Sequence, residues 1–292
     1  IISLFLAVLM AFTIITPTIV SAASKKVSKP KISSVSTVSS TSLKIKWKKV
    51  SGADGYVIYQ KKSDGKYSKI KTITSGKTTS YTKKSLSSAT KYTYKIKAYD
   101  KVGSKKIYSE YSSTKSAYTK PSKVTVSSVS AVSSSSVKIT WKKVSRADGY
   151  VIYQKKGTGE YSKIKTITSG KTTSYTKKSL SSATKYTYKI KAYVKSGSKK
   201  VYSEYSSAKS TYTTPTQVSI SSLTSVSSTS VKITWKKVDG ANSYIIGRKT
   251  SSTGWVKIAE TDDVDSYIDT TAKSGTTYTY TVVPVCDDVK GL

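Results

Sequence analysis

Apolar and polar residues alternate with a period of two through most of this chain. Leu43-Lys44-Ile45-Lys46-Trp47 switches between apolar and basic at every step, and Tyr92-Thr93-Tyr94-Lys95-Ile96-Lys97-Ala98 does the same. Successive side chains of a strand point to opposite faces, so this pattern predicts strands with one buried and one solvated side. Turn-forming clusters punctuate the runs: Ser51-Gly52-Ala53-Asp54-Gly55, Ser63-Asp64-Gly65, Ser75-Gly76-Lys77 and Val102-Gly103-Ser104. The predicted strands are 32–38, 42–49, 55–62, 67–74, 78–82, 90–100 and 107–118. The inward set is Ile45, Trp47, Tyr56, Ile58, Ile70, Leu86, Tyr92, Tyr94, Ile96 and Ala98. No amphipathic helical period occurs. Short strands at this spacing predict an all-β fold, an antiparallel sandwich.

The same pattern is written again. Trp47, Trp141 and Trp235 lie 94 residues apart in the frames LKIKWKKV, VKITWKKV and VKITWKKV. A period of this length marks tandem copies of one folding unit. Residues 47–119 align with 141–213 without a gap, and 64 of the 73 positions are identical. The differences include Gly52/Arg146, Lys66/Glu160 and Asp100/Val194. The third copy diverges further and loses two residues before Tyr267. Only 14 residues follow Tyr278, whereas 27 separate its counterpart Tyr92 from Thr119. The third unit is therefore expected to lack its last strand, and the chain reads as a piece of a longer protein. The units span 28–119, 121–213 and 215–292. Thr119-Lys120-Pro121 and Thr213-Thr214-Pro215 join them, each closing on a proline that fixes a backbone angle. Limited bending of a monomeric rod is the expectation, each unit being roughly 33 Å long if its strands have about ten residues.

Two further features change the picture. Residues 1–20 are almost wholly apolar and contain both phenylalanines of the chain, Phe5 and Phe12, and Val20-Ser21-Ala22-Ala23 follows them. Small residues after an apolar run are what a signal peptidase reads, so 1–23 is expected to be a secretory signal whose start is truncated. An uncleaved membrane anchor is the alternative, and membrane contact is expected through this segment alone. The second feature is charge. Residues 1–215 hold 43 Lys and Arg against 7 acids, while 216–292 hold 8 of each. The net +36 thus belongs to the first two copies, which favours polyanionic partners. It also suits a solvated surface whose lysines protect sheet edges.

The sandwich reading now meets a family. A Trp on the second strand, Gly55-Tyr56 and Gly149-Tyr150 opening the third, and Leu86-Ser87-Ser88-Ala89-Thr90-Lys91-Tyr92 leading into the sixth together resemble a fibronectin type III domain. The phrase WKKVSGADGYVIYQKK is similar to modules of surface and secreted proteins of Gram-positive bacteria. The resemblance implies tandem immunoglobulin-like β-sandwiches over 28–292. It also implies that the Tyr92 hydroxyl ties down the loop after Leu86, with Leu180/Tyr186 as the second pair. Ala272 replaces the Leu before Tyr278, so a looser corner is expected there. In that family the third and sixth strands share a sheet.

If they do so here, one outer face presents ammonium groups among phenol rings. The candidate polymer-binding residues are Tyr59, Lys61, Lys95, Lys97 and Tyr99, with Tyr153, Lys155, Lys189, Lys191 and Tyr193 in the second copy. Lysines neutralise phosphate or carboxylate polymers, and exposed tyrosines stack on sugars or hold cations. Nucleic acid is not expected as a designed partner. Most of the 24 tyrosines must serve as core or rim rings.

Chemistry of other kinds is poorly supplied. There is no histidine and one cysteine, Cys286, so no intrachain disulfide forms and His-based catalysis is excluded. Asp262, Asp263, Asp265 and Asp269 cluster without the Asp-x-Asp-x-Asp-Gly frame of a calcium loop. Neither a metal nor a cofactor is expected, and this chain is not expected to be an enzyme. Three readings follow: a secreted or wall-associated spacer and display region with weak affinity for anionic wall polymer or polysaccharide; an adhesin for a host or partner protein; or an accessory region of a wall or polysaccharide hydrolase.

Overall fold

A computed structural model of the chain describes residues 26–62, 64–286 and 289–290. The expected signal segment 1–23 lies outside the described residues. Among the described residues no helix is long and apolar enough to cross a membrane. All regular structure among the described residues is β.

The first module contains β1 (Ile32–Thr37), β2 (Leu43–Trp47), β3 (Gly55–Lys61), β4 (Tyr67–Ile73), β5 (Ser80–Lys83), β6 (Lys91–Val102), β7 (Lys105–Tyr108) and β8 (Lys115–Tyr118). The second repeats this order as β9 (Val126–Ser133), β10 (Ser136–Trp141), β11 (Gly149–Lys156), β12 (Ser162–Ile167), β13 (Ser174–Lys177), β14 (Lys185–Ser196), β15 (Lys199–Tyr202) and β16 (Lys209–Tyr212). The third has β17 (Ile220–Ser227), β18 (Ser230–Trp235), β19 (Ser243–Lys249), β20 (Val256–Asp262), β21 (Ser266–Asp269), β22 (Thr279–Cys286) and β23 (Val289–Lys290).

Each module is two antiparallel sheets face to face. In the first, β1-β2-β5 opposes β4-β3-β6, and β7 and β8 both pair with β6. The second module repeats this arrangement with β9-β10-β13 against β12-β11-β14. In the third, β22 pairs with β19 and with the two-residue β23, and no described strand stands where β8 and β16 stand in the other modules.

The cores follow the alternation. Every residue of the inward set lies in or against the first core, with Ile70 and Tyr92 at its partly buried margin. Their equivalents 94 residues on build the second core. Trp47 meets Tyr56 edge-on with centroids 5.3 Å apart, and Trp141 meets Tyr150 at the same distance. Such pairs contribute roughly 0.5–1.5 kcal/mol beyond their buried area. The Tyr56 hydroxyl accepts from Val50 N at 3.0 Å and donates to Gly76 O at 3.3 Å, so the ring is buried without an orphaned oxygen. The corner tyrosines behave as the resemblance implied: Ser87 N donates to Tyr92 at 2.9 Å and Ser181 N to Tyr186 at 3.0 Å. The third corner is longer, Lys273 N to Tyr278 at 3.2 Å, beside Ala272.

One element departs from expectation. The strand read as 107–118 is two strands, β7 and β8, with residues 109–114 between them. Ser109 and Ser112 cause the break. Their Oγ atoms accept the Ala98 and Ile96 amides at 2.9 and 3.0 Å, places that a neighbouring strand's carbonyls would normally take. Their own amides donate to Ala98 O and Ile96 O at 2.9 and 2.8 Å. The ladder of β6 is therefore satisfied although the partner strand is interrupted.

Candidate anion-binding face

The outer face of the β3/β6 sheet takes shape from register. Tyr59 stands opposite Lys95 and Val57 opposite Lys97, all on the side away from the core. The loop between β7 and β8, anchored by its two serines, brings Tyr111 over this surface. Tyr59 and Tyr111 meet edge-on with centroids 5.2 Å apart. The Lys95 ammonium lies 3.5 Å from the Tyr111 centroid and 4.2 Å from that of Tyr67, on the edge strand β4. Lys97 lies 4.2 Å from Tyr111.

The second module repeats the arrangement. Tyr153 meets Tyr205 at 5.1 Å. Lys189 sits 3.7 Å from Tyr161 and 4.0 Å from Tyr205, and Lys191 sits 3.8 Å from Tyr205. Burial, and then the neighbouring Tyr111, push the Tyr59 phenol above its ordinary value of 10.0. Burial, then Tyr205, does the same for Tyr153. The Tyr59 and Tyr153 phenols thus stay neutral beside the two ammonium groups of each face.

Of the ten expected residues, Tyr59, Lys95, Lys97, Tyr153, Lys189 and Lys191 come together. Lys61 is exposed at the end of β3, and Lys155 reaches only to 5.6 Å from Tyr161. Tyr99 and Tyr193 require correction. They project from the outward side, yet both are fully buried. The Tyr99 hydroxyl donates to Ile73 O and that of Tyr193 to Ile167 O, each at 3.2 Å. Gly55 makes the room: a Cβ there would fall 2.5 Å from the Tyr99 hydroxyl and 2.1 Å from Ile73 O. These two rings pack into the sheet and are not open at its outer surface. Tyr67, Tyr111, Tyr161 and Tyr205 escaped the sequence reading. Tyr111 and Tyr205 lie in a loop where alternation carries no signal. Tyr67 and Tyr161 lie at the start of an edge strand and its approach.

The ring faces near the lysines are occupied by those lysines. Cation–π contact of this kind holds an ammonium in place while leaving its N–H donors free to turn toward an anion. The face is therefore suited to charge recognition more than to stacking on sugars, a change from the mixed role first expected.

In the third module the corresponding face is different. Gly247 pairs with Thr281 and Ile245 with Val283, so neither tyrosine nor lysine occupies these places. Trp255 is 51% exposed, and the Lys249 ammonium lies 5.0 Å from its ring. The acidic residues nearby do not assemble into a site. Asp269 is buried, bound by Arg248 at 2.5 Å and by the Tyr280 hydroxyl at 2.8 Å. Asp263 pairs with Lys237 at 3.2 Å. Among the described residues no group of three or more His, Cys, Asp or Glu could hold a metal ion.

Comparison with known proteins agrees with this architecture. The model of the fibronectin type III domain matches residues 28–115 and 119–209. Among solved structures, the chain is similar to the FN1–FN3 domains of chicken CNTN1, with 20% identity and a TM-score of 0.33, covering 91% of this chain and 95% of that one. It is also similar to a two-domain fibronectin type III segment of chicken tenascin, with 23% identity and a TM-score of 0.40, covering 63% and 99%. No curated protein matches. Since the two matched segments span more than half of the chain and each covers a sandwich as far as the start of its last strand, the chain belongs to the fibronectin type III domain family.

Proposed function

We propose that this chain is a non-catalytic spacer and display array, secreted or held at a bacterial cell wall, whose first two modules bind anionic wall polymer or polysaccharide with low affinity. The observation that carries the reading is the pair of ammonium groups fixed over tyrosine rings at Lys95/Lys97 and again at Lys189/Lys191. Two copies of one face suit a ligand that itself repeats, because the second contact forms at high effective concentration. The third module, with balanced charge and no lysine at these places, is an internal control.

The test is titration of the whole chain with teichoic acid and with pectate. Binding is expected at low ionic strength and should fall steeply with salt, as charge-driven association does. Lys→Glu at Lys95, Lys97, Lys189 and Lys191 should abolish it. The same charge change at Lys46, Lys48, Lys138 and Lys142, on or beside the opposite sheet, should weaken it far less. Equal loss from both sets would show that only net charge matters and would overturn the assigned face. Salt-tolerant capture of a protein, unaffected by either set, would favour the adhesin reading. An attached glycanase domain elsewhere in the protein would give this region an accessory role.

A further inference from the structure

The two joints between modules are built from equivalent positions but by different chemistry. In each leading module an alanine of the loop before the sixth strand adopts a left-handed backbone, Ala89 with φ 49° and Ala183 with φ 44°. The next module meets this loop with its turn before the third strand. At the first joint that turn carries Arg146, whose Nη1 donates to Thr90 Oγ1 at 3.1 Å. Lys120, in the linker, pairs with Glu204 at 2.6 Å. That contact holds the Glu204 carboxyl below its ordinary range. At the second joint the turn carries Gly240, with φ 78°. A Cβ there would fall 2.6 Å from the Ala183 methyl and 3.1 Å from its carbonyl oxygen. The Cys286 thiol lies under the same carbonyl at 3.8 Å.

The residue at the far end of the sixth strand follows this logic. Asp100 is partly exposed in the first module, while its equivalents Val194 and Cys286 are 2% and 3% exposed. Two of the few differences between the first two copies, Gly52/Arg146 and Asp100/Val194, thus fall where the second copy receives the first. The linkers are also tied down. Lys120 N donates to Ser39 O at 3.1 Å, and Lys120 O accepts from Ala89 N at 3.1 Å.

We infer that successive modules dock on each other through dedicated surfaces, the first joint closed by charge and the second by steric fit. Exposed ion pairs are weak and screened by salt, so the first joint loosens as ionic strength rises. A glycine seated against a methyl group has no such dependence, so the second joint stays closed. This inference stands whether or not any polymer binds.

Single-molecule energy transfer on the whole chain tests it. Dyes are attached through non-canonical amino acids at the exposed positions Ser36, Ser130 and Thr224. The Ser36–Ser130 distance should be narrowly distributed at low salt and broaden at molar salt or in Glu204→Lys. The double swap Lys120→Glu with Glu204→Lys should restore it. The Ser130–Thr224 distance should ignore salt and broaden or shift in Gly240→Val. Since Gly240→Val also strains its own turn, Ala183→Gly serves as the second variant. It keeps the backbone conformation, removes the methyl contact and should loosen the same joint. Broad distributions at both joints in the native chain at low salt, or an equal response of both to salt, would overturn the inference.

Discussion

Asp269 shows how one residue can settle a core. It is fully buried, and its carboxylate accepts from Thr271 N at 2.9 Å, Thr271 Oγ1 at 2.7 Å, Tyr280 and Arg248. Burial alone would raise its pKa. The hydrogen bonds from Thr271, Tyr280 and Arg248 outweigh burial and hold it below the ordinary 3.8. Burial and the same carboxylate push the Tyr280 phenol up to about 12. In the first module the equivalent cross-strand pair is Gln60 and Tyr94. There Gln60 Oε1 and Tyr94 OH are buried with no partner among the described residues. Asp269→Asn should therefore lower the stability of the third module by about 3 kcal/mol, the scale for breaking a buried charged pair, seen as a lower melting temperature for that module alone. The carboxyl's folded pKa is depressed, so its contribution is complete above the unfolded value and fades as pH falls through the folded one. Acid titration of melting should show this loss below about pH 4 in the native chain and a flatter profile in the variant. A third-module transition that is indifferent to the substitution would remove Asp269 from its structural role.

At the scale of elements, legibility depended on whether one strand's pattern contained the answer. Strand placement and the core came through because alternation is local: Ile45, Trp47, Tyr94 and Ile96 declare their side by parity alone. Parity also put Tyr99 on the outer side correctly. It could not show that Gly55, on the neighbouring strand, leaves a slot that buries the ring. Asp269 read as part of an acidic run because its partners Arg248 and Tyr280, on the paired strands β19 and β22, reach it across the sandwich from the opposite sheet. The split of β7 from β8 was hidden for a related reason: a serine that accepts a ladder amide looks in sequence like any polar strand residue. Ser112→Ala should orphan the Ile96 amide at a cost of about 1–3 kcal/mol. It should also release the loop that holds Tyr111 over Lys95. Hydrogen exchange should quicken at Ile96 and, to a lesser degree, at Ala98. Unchanged protection at Ile96 would mean that the β6 ladder does not depend on the serine. Polymer affinity gives an independent reading, because the lysines remain while their aromatic support moves.

At the scale of the molecule, the charge that favours an anionic partner also strains the modules that carry it. Residues 1–215 set 43 positive side chains against 7 negative ones, and among the described residues of these modules one ion pair forms, Lys120–Glu204. The third module has equal numbers and several pairs, Lys237–Asp263, Arg248–Asp269 and Lys257–Glu260. Self-repulsion of like charges opposes compact states and is screened by salt. Adding salt should therefore raise the melting temperature of the first two modules and leave that of the third nearly unchanged or slightly lower. Differential scanning calorimetry of the whole chain at low and high ionic strength would resolve this. Substoichiometric polyanion at low salt should have the same selective effect by a different route, binding the folded first two modules and stabilising them by mass action. The two routes part when they are combined. Salt must abolish the gain from the polymer while supplying its own, so the polymer's increment should shrink to nothing as ionic strength rises. An increment that persisted at high salt would mean that the polymer is held by contacts other than the lysines over Tyr111 and Tyr205.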